Sequence, residues 1–425
     1  MLASRSEGSR LLIAVGGVIA CFNQSSLHSF LKTGPDDNGA TSELESHNDA
    51  LCGCLSDSGR LFAVCDTNKI LRIFKFDKDS WSLLREQIIK KKVGCLTFMP
   101  DERSLLLGEK SGYVICVPID GDNSDLFQID EEDAFLGHLS LLTSIVLNRE
   151  GRLIGTCDRD EKIRISRSSH PHVIESFCLG HTKSVFEISF PDDNHLISVA
   201  GDGFVRLWNA LEGVELDAIE ITPYLNKIRG CETHNETQDF LASRLIIIGC
   251  MAVLGVRSHD CIAALKLSND FSAFARGDGS DAVVSGVLCP KNERFIDCCV
   301  INHRVTEKDF EIVCTTEPLS RFVSWIVVYC KDSALEWSQM KEWDALPSEL
   351  KAENGRFPRL QMLMEMGKNF VNMGGVEAYE KGKEETHKRI KERHQRHQAK
   401  RKRQRVRIDE KGEVNEKEKG EASIP

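Results

Sequence analysis

The residues best placed to do chemistry lie in one stretch, "DRDEKIRISRSSHPHVIESFCLGH", Asp158 to His181. Arg159, Lys162 and Arg164 stand there between apolar residues at strand spacing. Cations so placed can pair with a partner's carboxylates or brace their own sheet. His138 and His181 each follow a glycine, forty-three residues apart. A histidine can serve as a base, a metal ligand, or one link of a buried hydrogen-bond chain. Further on, His387, His394 and His397 could share one side of a helix. The cations around them would repel a bound metal ion, so no metal site is expected. There is no Walker loop and no HExxH, and the glycine clusters "AVGG", "NMGG" and "ARGDGSD" do not open a helix after a strand. No catalytic residue and no cofactor is therefore assigned to this chain.

The elements that must hold these residues repeat. "TNKILRIF" (67–74), "KSGYVICV" (110–117), "RDEKIRIS" (159–166) and "GDGFVRLW" (201–208) align without gaps. Their second residues, Asn68, Ser111, Asp160 and Asp202, are separated by 43, 49 and 42 positions. Each segment is a polar turn followed by a strand of alternating apolar residues, with another strand and turn upstream. A period of about 40 to 45 residues, opened by Gly-His and closed by Trp, is the WD-repeat signature of a β-propeller. The best copy runs from Gly180 to Asn209 and offers His181, Ser198, Asp202 and Trp208 as a buried hydrogen-bonded tetrad. The preceding copy offers His138, Thr156 and Asp160, and ends in Ser166 instead of Trp. Buried polar groups must all be satisfied, which fixes their spacing. These histidines are accordingly expected to be structural.

The fold class expected is all-β, a seven-bladed WD-repeat β-propeller with a basic C-terminal helical tail. The propeller is expected over 8–335, with degenerate later blades at "MAVLGVRSHDCIAALKLS", "RFIDCCVINHRV" and "SRFVSWIVVYCKD". "LLIAVGGVIACF" (11–22) is expected as a buried strand pair that completes the last blade. An irregular linker or propeller-edge segment is expected over 336–375, a basic helix over 376–407 and a disordered charged tail over 408–425. Sixteen cysteines are spread through apolar strands without zinc-ligand spacing, as buried free thiols would be. No run approaches the roughly 18 to 20 apolar residues of a membrane span, so an intracellular protein without membrane contact is expected.

Charge is divided sharply. Residues 388–407 hold eleven Lys/Arg and one Glu, +10 within a chain of net −10, leaving −20 on the remainder. An acidic body with a basic tail concentrates any polyanion contact on the tail. "KRKRQR" (400–405) also suits nuclear import, so a nuclear location is expected.

The run "GHLSLL", "DRDEKIRIS", "IESFCLGHT", from Gly137 to Thr182, resembles the WD-repeat non-catalytic subunit of tRNA (guanine-N7)-methyltransferase. The resemblance implies a heterodimer whose catalytic partner binds S-adenosylmethionine and methylates guanine N7 in the variable loop of tRNA. This chain would stabilise that partner and help position the tRNA. It further implies Lys162, Arg164 and Arg159 as partner contacts, paired with carboxylates of the methyltransferase. Lys388, Arg389, Arg393, Arg396, Lys400, Arg401 and Arg403 are the expected tRNA contacts, acting by charge more than by base reading. The alternative is a nuclear WD-repeat adaptor, such as a ubiquitin-ligase substrate receptor or a ribosome-assembly factor.

Overall fold

The computed structural model describes residues 2–5, 10–15, 18–23, 26–32, 49–78, 80–120, 134–229, 240–276, 284–288, 294–302, 309–317, 322–329 and 335–343. The expected basic helix, its tRNA-contact residues and the charged tail lie outside the described residues. Apart from one short helix, Thr222–Arg229, and a single 3-10 turn, the described elements are strands. No helix among the described residues is long and apolar enough to cross a membrane.

Each strand pairs with its sequence neighbours, giving seven four-stranded antiparallel sheets. We number them 1 to 7 in chain order, over residues 2–32, 50–88, 93–137, 142–178, 185–220, 242–288 and 294–343. Sheets 2 to 6 are the five blades defined with their side chains. Their second strands are the most apolar, because sheets pack on both of their faces. Leu61–Asp66, Leu153–Asp158 and Met251–Val256 are buried along their whole length. Fourth strands lie at the rim and meet water, so Ser80–Ile88 and His170–Cys178 alternate or are exposed. Core clusters bridge successive sheets: Ile73 with Leu105 across sheets 2 and 3, and Ile165 with Leu196 across sheets 4 and 5. Face-to-face packing of four-stranded sheets around their first strands is the propeller architecture.

The first strands carry a shared irregularity. In sheets 2 to 7 a one-residue bulge interrupts the pairing of first and second strands at the same place. The next paired residues are Cys52, Cys95, Ser144, Glu187, Arg244 and Asp297. A bulge bends its strand and re-aims the following side chain. In sheets 5 to 7 those side chains are charged and meet: Arg244 binds Asp297 through two bonds, Nε to Oδ1 at 2.8 Å and Nη2 to Oδ2 at 2.7 Å. Arg244 Nη1 lies 3.9 Å from Glu187 Oε1, while Glu187 Oε2 accepts the Leu245 N–H at 2.6 Å. Three blades are thereby pinned together by buried charge.

Three expectations need correction. The segment 11–22 does not complete the last blade. It forms two antiparallel strands, Arg10–Val15 and Val18–Asn23, with Val15 opposite Val18. Leu2–Arg5 and Ser26–Lys32 flank that hairpin and complete sheet 1 from N-terminal sequence alone. Sheet structure also passes both expected ends of the propeller, at Leu2–Arg5 and at Leu335–Trp343. Of the later segments, Met251–Val256 and Cys261–Lys266 form a hairpin, whereas Arg294–Asn302 and Phe322–Tyr329 are single strands of one sheet, sheet 7, and not a strand pair or separate blades. Eleven cysteines between Cys21 and Cys298 are free thiols. Burial pushes the pKa of the Cys65 and Cys157 thiols up, and that of Cys178 up to about 12.

Candidate functional site

The turn at 158–162 connects the second and third strands of sheet 4 and is built from within. Asp158 ends a fully buried strand, and its Oδ1 accepts the N–H of Asp160 at 2.9 Å and of Lys162 at 3.1 Å. Glu161 sits at φ 69°, the left-handed residue this tight turn requires. The other carboxylate oxygen of Asp158 is 2.9 Å from His138 Nδ1. His138 Nε2 is 2.7 Å from Thr156 Oγ1. The carboxylate can only accept, so the network assigns the proton to Nδ1.

This corrects one expected residue: the acid on His138 is Asp158, not Asp160. In sheet 5 the corresponding strand ends in Ala200, which has no carboxylate, and Asp202 supplies one from inside the turn. There the expected tetrad is complete. His181 Nδ1 is 2.9 Å from Asp202 Oδ2, His181 Nε2 is 2.7 Å from Ser198 Oγ, and Trp208 Nε1 donates to Ser198 Oγ at 2.8 Å. Sheet 4 has its acid at the strand end, so Asp160 is released to the surface, its Oδ1 3.6 Å from Arg159 Nε. A readable signal pointed to this. The aligned segments of sheets 2, 3 and 4 are each preceded by an acid, Asp66, Glu109 and Asp158.

The three cations of the turn separate by role. Arg164 is only 7% exposed, and its guanidinium is consumed internally. Nε donates to Ser166 Oγ at 2.9 Å, Nη1 to the Gly137 carbonyl at 2.9 Å and Nη2 to the Pro171 carbonyl at 2.8 Å. Burial lowers its pKa. The aligned Arg72 and Arg206 are braces too, on Asp66 with Glu86 and on Glu215. Arg164 therefore positions the sheet and is not presented to a partner. Arg159 is different, with a side chain 41% exposed and only the 3.6 Å approach to Asp160. Lys162 is half-buried, and its Nζ makes one long contact, 3.4 Å, to the Asp160 carbonyl. Arg159 thus approaches the Asp160 carboxylate and Lys162 the Asp160 carbonyl, on a turn held by Asp158. They can exchange weak contacts for a carboxylate on another chain.

No group of His, Cys, Asp and Glu among the described residues could hold a metal ion. Among the described residues, the His–Asp pairs with a hydroxyl partner, at His138 and His181, are buried links of the kind described above.

Repeated four-stranded sheets, one tied by a His–Asp–Ser–Trp chain and its neighbour by a His–Asp–Thr chain, define the class by fold: a WD40 β-propeller. Residues 127–264 match the family model described as the tRNA methyltransferase TRM82 WD40 domain. The chain is 32% identical to the tRNA (guanine-N(7)-)-methyltransferase non-catalytic subunit wdr4 of Xenopus laevis, over 51% of this chain and 52% of that protein. It is 33% identical to WDR4 of Homo sapiens, over 52% and 53% of the two chains. It is 28% identical to TRM82 of Vanderwaltozyma polyspora, over 45% and 46%. The chain thus spans about half the length of the curated relatives it matches. The resemblance read from Gly137 to Thr182 is borne out, since that run lies inside the matched residues. Among solved structures, a chain of the Crystal Structure of Mitotic Checkpoint Complex superposes with TM-score 0.54 at 15% identity, covering 80% of this chain and 89% of that one. That likeness concerns the fold alone.

Proposed function

We propose that this chain is the non-catalytic subunit of a heterodimeric tRNA (guanine-N7)-methyltransferase. It would stabilise the catalytic subunit and help position tRNA for N7-methylguanosine formation. The observation that carries the reading is the turn at 158–162. Within the residues similar to the methyltransferase WD40 domain, a buried His138–Asp158 pair fixes a turn that presents Arg159 and Lys162 outward. Those two side chains dock the methyltransferase through its carboxylates, while Arg164 holds the turn from behind. S-adenosylmethionine belongs to the partner.

The propeller is proposed as a closed seven-bladed ring. First strands of successive sheets lie side by side, and Leu2–Arg5 lies beside both Ala50–Leu55 and Arg294–Asn302, which supports closure without a strand shared between the chain ends. The basic segment with Lys388, Arg389, Arg393, Arg396, Lys400, Arg401 and Arg403 is proposed to contact tRNA phosphates, and the "KRKRQR" run to direct the protein to the nucleus.

The test is co-expression with a tRNA (guanine-N7)-methyltransferase catalytic subunit. Recovery of a one-to-one complex with N7-methylating activity that neither chain has alone is the expected result. Failure to bind any such subunit would favour an adaptor role in another complex.

A further inference from the structure

The rim strand of sheet 2, Ser80–Ile88, carries an exposed apolar row. Beyond its bulge the strand alternates, with Arg85 and Gln87 buried and Leu84, Glu86 and Ile88 exposed. Arg85 donates to the Pro118 carbonyl of sheet 3, so the exposed residues face away from that sheet. Leu83 stands beside them, and Trp81 packs with Leu12 and Ile19 of sheet 1. Leu83, Leu84 and Ile88 are 52%, 37% and 66% exposed. Apolar residues scattered singly over a surface are ordinary, but three on one short strand mark a place that something covers.

The course of the chain points to what covers it. Ile88, Gly137, Cys178 and Glu220 end the fourth strands of sheets 2 to 5, each opposite the first residue of its third strand. The chain therefore leaves every one of these sheets at the same end and enters the next. Trp343 ends the fourth strand of sheet 7 opposite Phe322, again at that end. Continued in the same hand, the chain passes from sheet 7 to sheet 1, whose first strand lies beside those of sheets 7 and 2. The fourth strands of sheets 1 and 2 are also neighbours. Thirteen residues separate Trp343 from Phe357, about 40 Å when extended, against sheet spacings of about 10 Å. The run "FPRLQMLMEM" (357–366) can thus reach the rim of sheet 2. Six of its ten residues are Phe, Leu or Met, and methionine adapts to an irregular surface. Charge also matches. Glu86, with its side chain 50% exposed, accepts Arg72 Nε on Oε2 and can take Arg356 or Arg359 on Oε1.

We infer that residues 357–366 pack along Leu83, Leu84 and Ile88, as a strap from sheet 7 across the rim of sheet 1 to sheet 2. Sheets 7 and 1 share no strand, each being complete from its own stretch of sequence. A strap over the outside ties the two sides of that seam. Val214, an exposed apolar residue on the rim of sheet 5, stands opposite Asn209 at the far end of its strand, away from where the chain leaves. The inference does not depend on the methyltransferase reading.

The experiment uses the full chain alone, without methyltransferase or tRNA. The photoreactive residue p-benzoylphenylalanine replaces Leu84 or, as a control, Val214, and crosslinked peptides are mapped by mass spectrometry at low protein concentration. The expected product joins position 84 to the peptide holding 357–366 of the same chain, and position 214 does not capture that peptide. A crosslinked dimer through position 84 would overturn the inference, because a second copy would then be the occupant. So would the absence of any crosslink to 357–366. Hydrogen exchange tests the same contact without a probe on the strand. In Leu360→Ser/Leu363→Ser/Met364→Ser the amides of 80–88 are expected to exchange about tenfold faster than in wild type, while those of 214–220 keep their rate. Unchanged exchange at 80–88 would also overturn the inference. Where exchange rises at both rims the variant has lost its fold, and the crosslink alone decides.

Discussion

His138 Nδ1 lies 2.9 Å from Asp158 Oδ2, and the same carboxylate holds the two backbone N–H groups that shape the 158–162 turn. One buried acid therefore links the blade's core histidine to the placement of Arg159 and Lys162. The side chain of Asp160, two residues on, takes no part in that link. Asp158→Ala should lower stability by about 1–3 kcal/mol, because His138 and the turn amides lose their acceptor. Asp160→Ala should leave the melting temperature nearly unchanged. Denaturant melts of the two variants distinguish the assignments, and equal losses would mean that the pairing is wrong.

The cations of the turn should separate stability from binding. Arg164→Ala leaves the Gly137 and Pro171 carbonyls and the Ser166 hydroxyl without their donor, and should cost about 2–3 kcal/mol. Lys162→Glu should melt like wild type while weakening the methyltransferase complex. Thermal melts paired with a pull-down read both effects. An Arg164 variant as stable as wild type would contradict the bracing role.

Arg244 joins sheets 5, 6 and 7. Burial disfavours its charge, but Asp297 and Glu187 outweigh that and raise its pKa, so it remains a cation. Arg244→Leu would leave two buried carboxylates unpaired, at a cost of about 3–5 kcal/mol. Arg244→Leu/Asp297→Leu should recover a large part of the loss. Chemical denaturation of both variants checks the coupling, and additive losses would argue against it.

Acid should attack the tetrad of sheet 5. Burial pushes the Asp202 carboxyl up, but His181 and the N–H groups of Thr182 and Phe204 prevail and hold it below its ordinary value. A carboxyl depressed in the folded state stabilises above its unfolded pKa, about 3.9, and loses that contribution as pH falls through its folded value. Wild type should therefore lose melting temperature more steeply than Asp202→Asn below about pH 4. Parallel curves would show that this carboxyl is not linked to folding.

Gly112 sits at φ 94°, and a β-carbon there would come within 2.6 Å of the carbonyl oxygens of His138 and Ser140. Both objections are to backbone, which cannot give way as a flexible side chain would. Gly112→Ala should be among the most destabilising single-methyl additions in sheet 3, whereas Glu161→Gly, at the equivalent left-handed position of sheet 4, should be neutral or stabilising. Melting temperatures of the pair test this directly.

The repeating core was legible in the sequence because a buried strand must alternate and a tight turn must be polar. The tetrad on His181 could be read residue by residue, since each of its members is specified by a neighbour. The sheet 4 network was misread at Asp160 because alignment follows position, whereas hydrogen bonding follows reach, and Asp158 reaches His138 from the strand end. Arg164 looked like a surface cation, as its partners are mostly backbone carbonyls that have no signature in the sequence. The Arg244 network was hidden for a related reason. Its members lie 58 and 53 residues from their partners and meet only where first strands converge after a bulge.

The measurement that bears most directly on the account is methylation of tRNA by the complex of this chain with a tRNA (guanine-N7)-methyltransferase catalytic subunit, for wild type and Arg159→Glu/Lys162→Glu. Thermal melts establish beforehand that the variant is folded. The account predicts that the folded variant neither co-purifies with the catalytic subunit nor supports N7-methylation. A folded variant that binds and activates as wild type does would contradict it and remove the 158–162 turn from the docking surface.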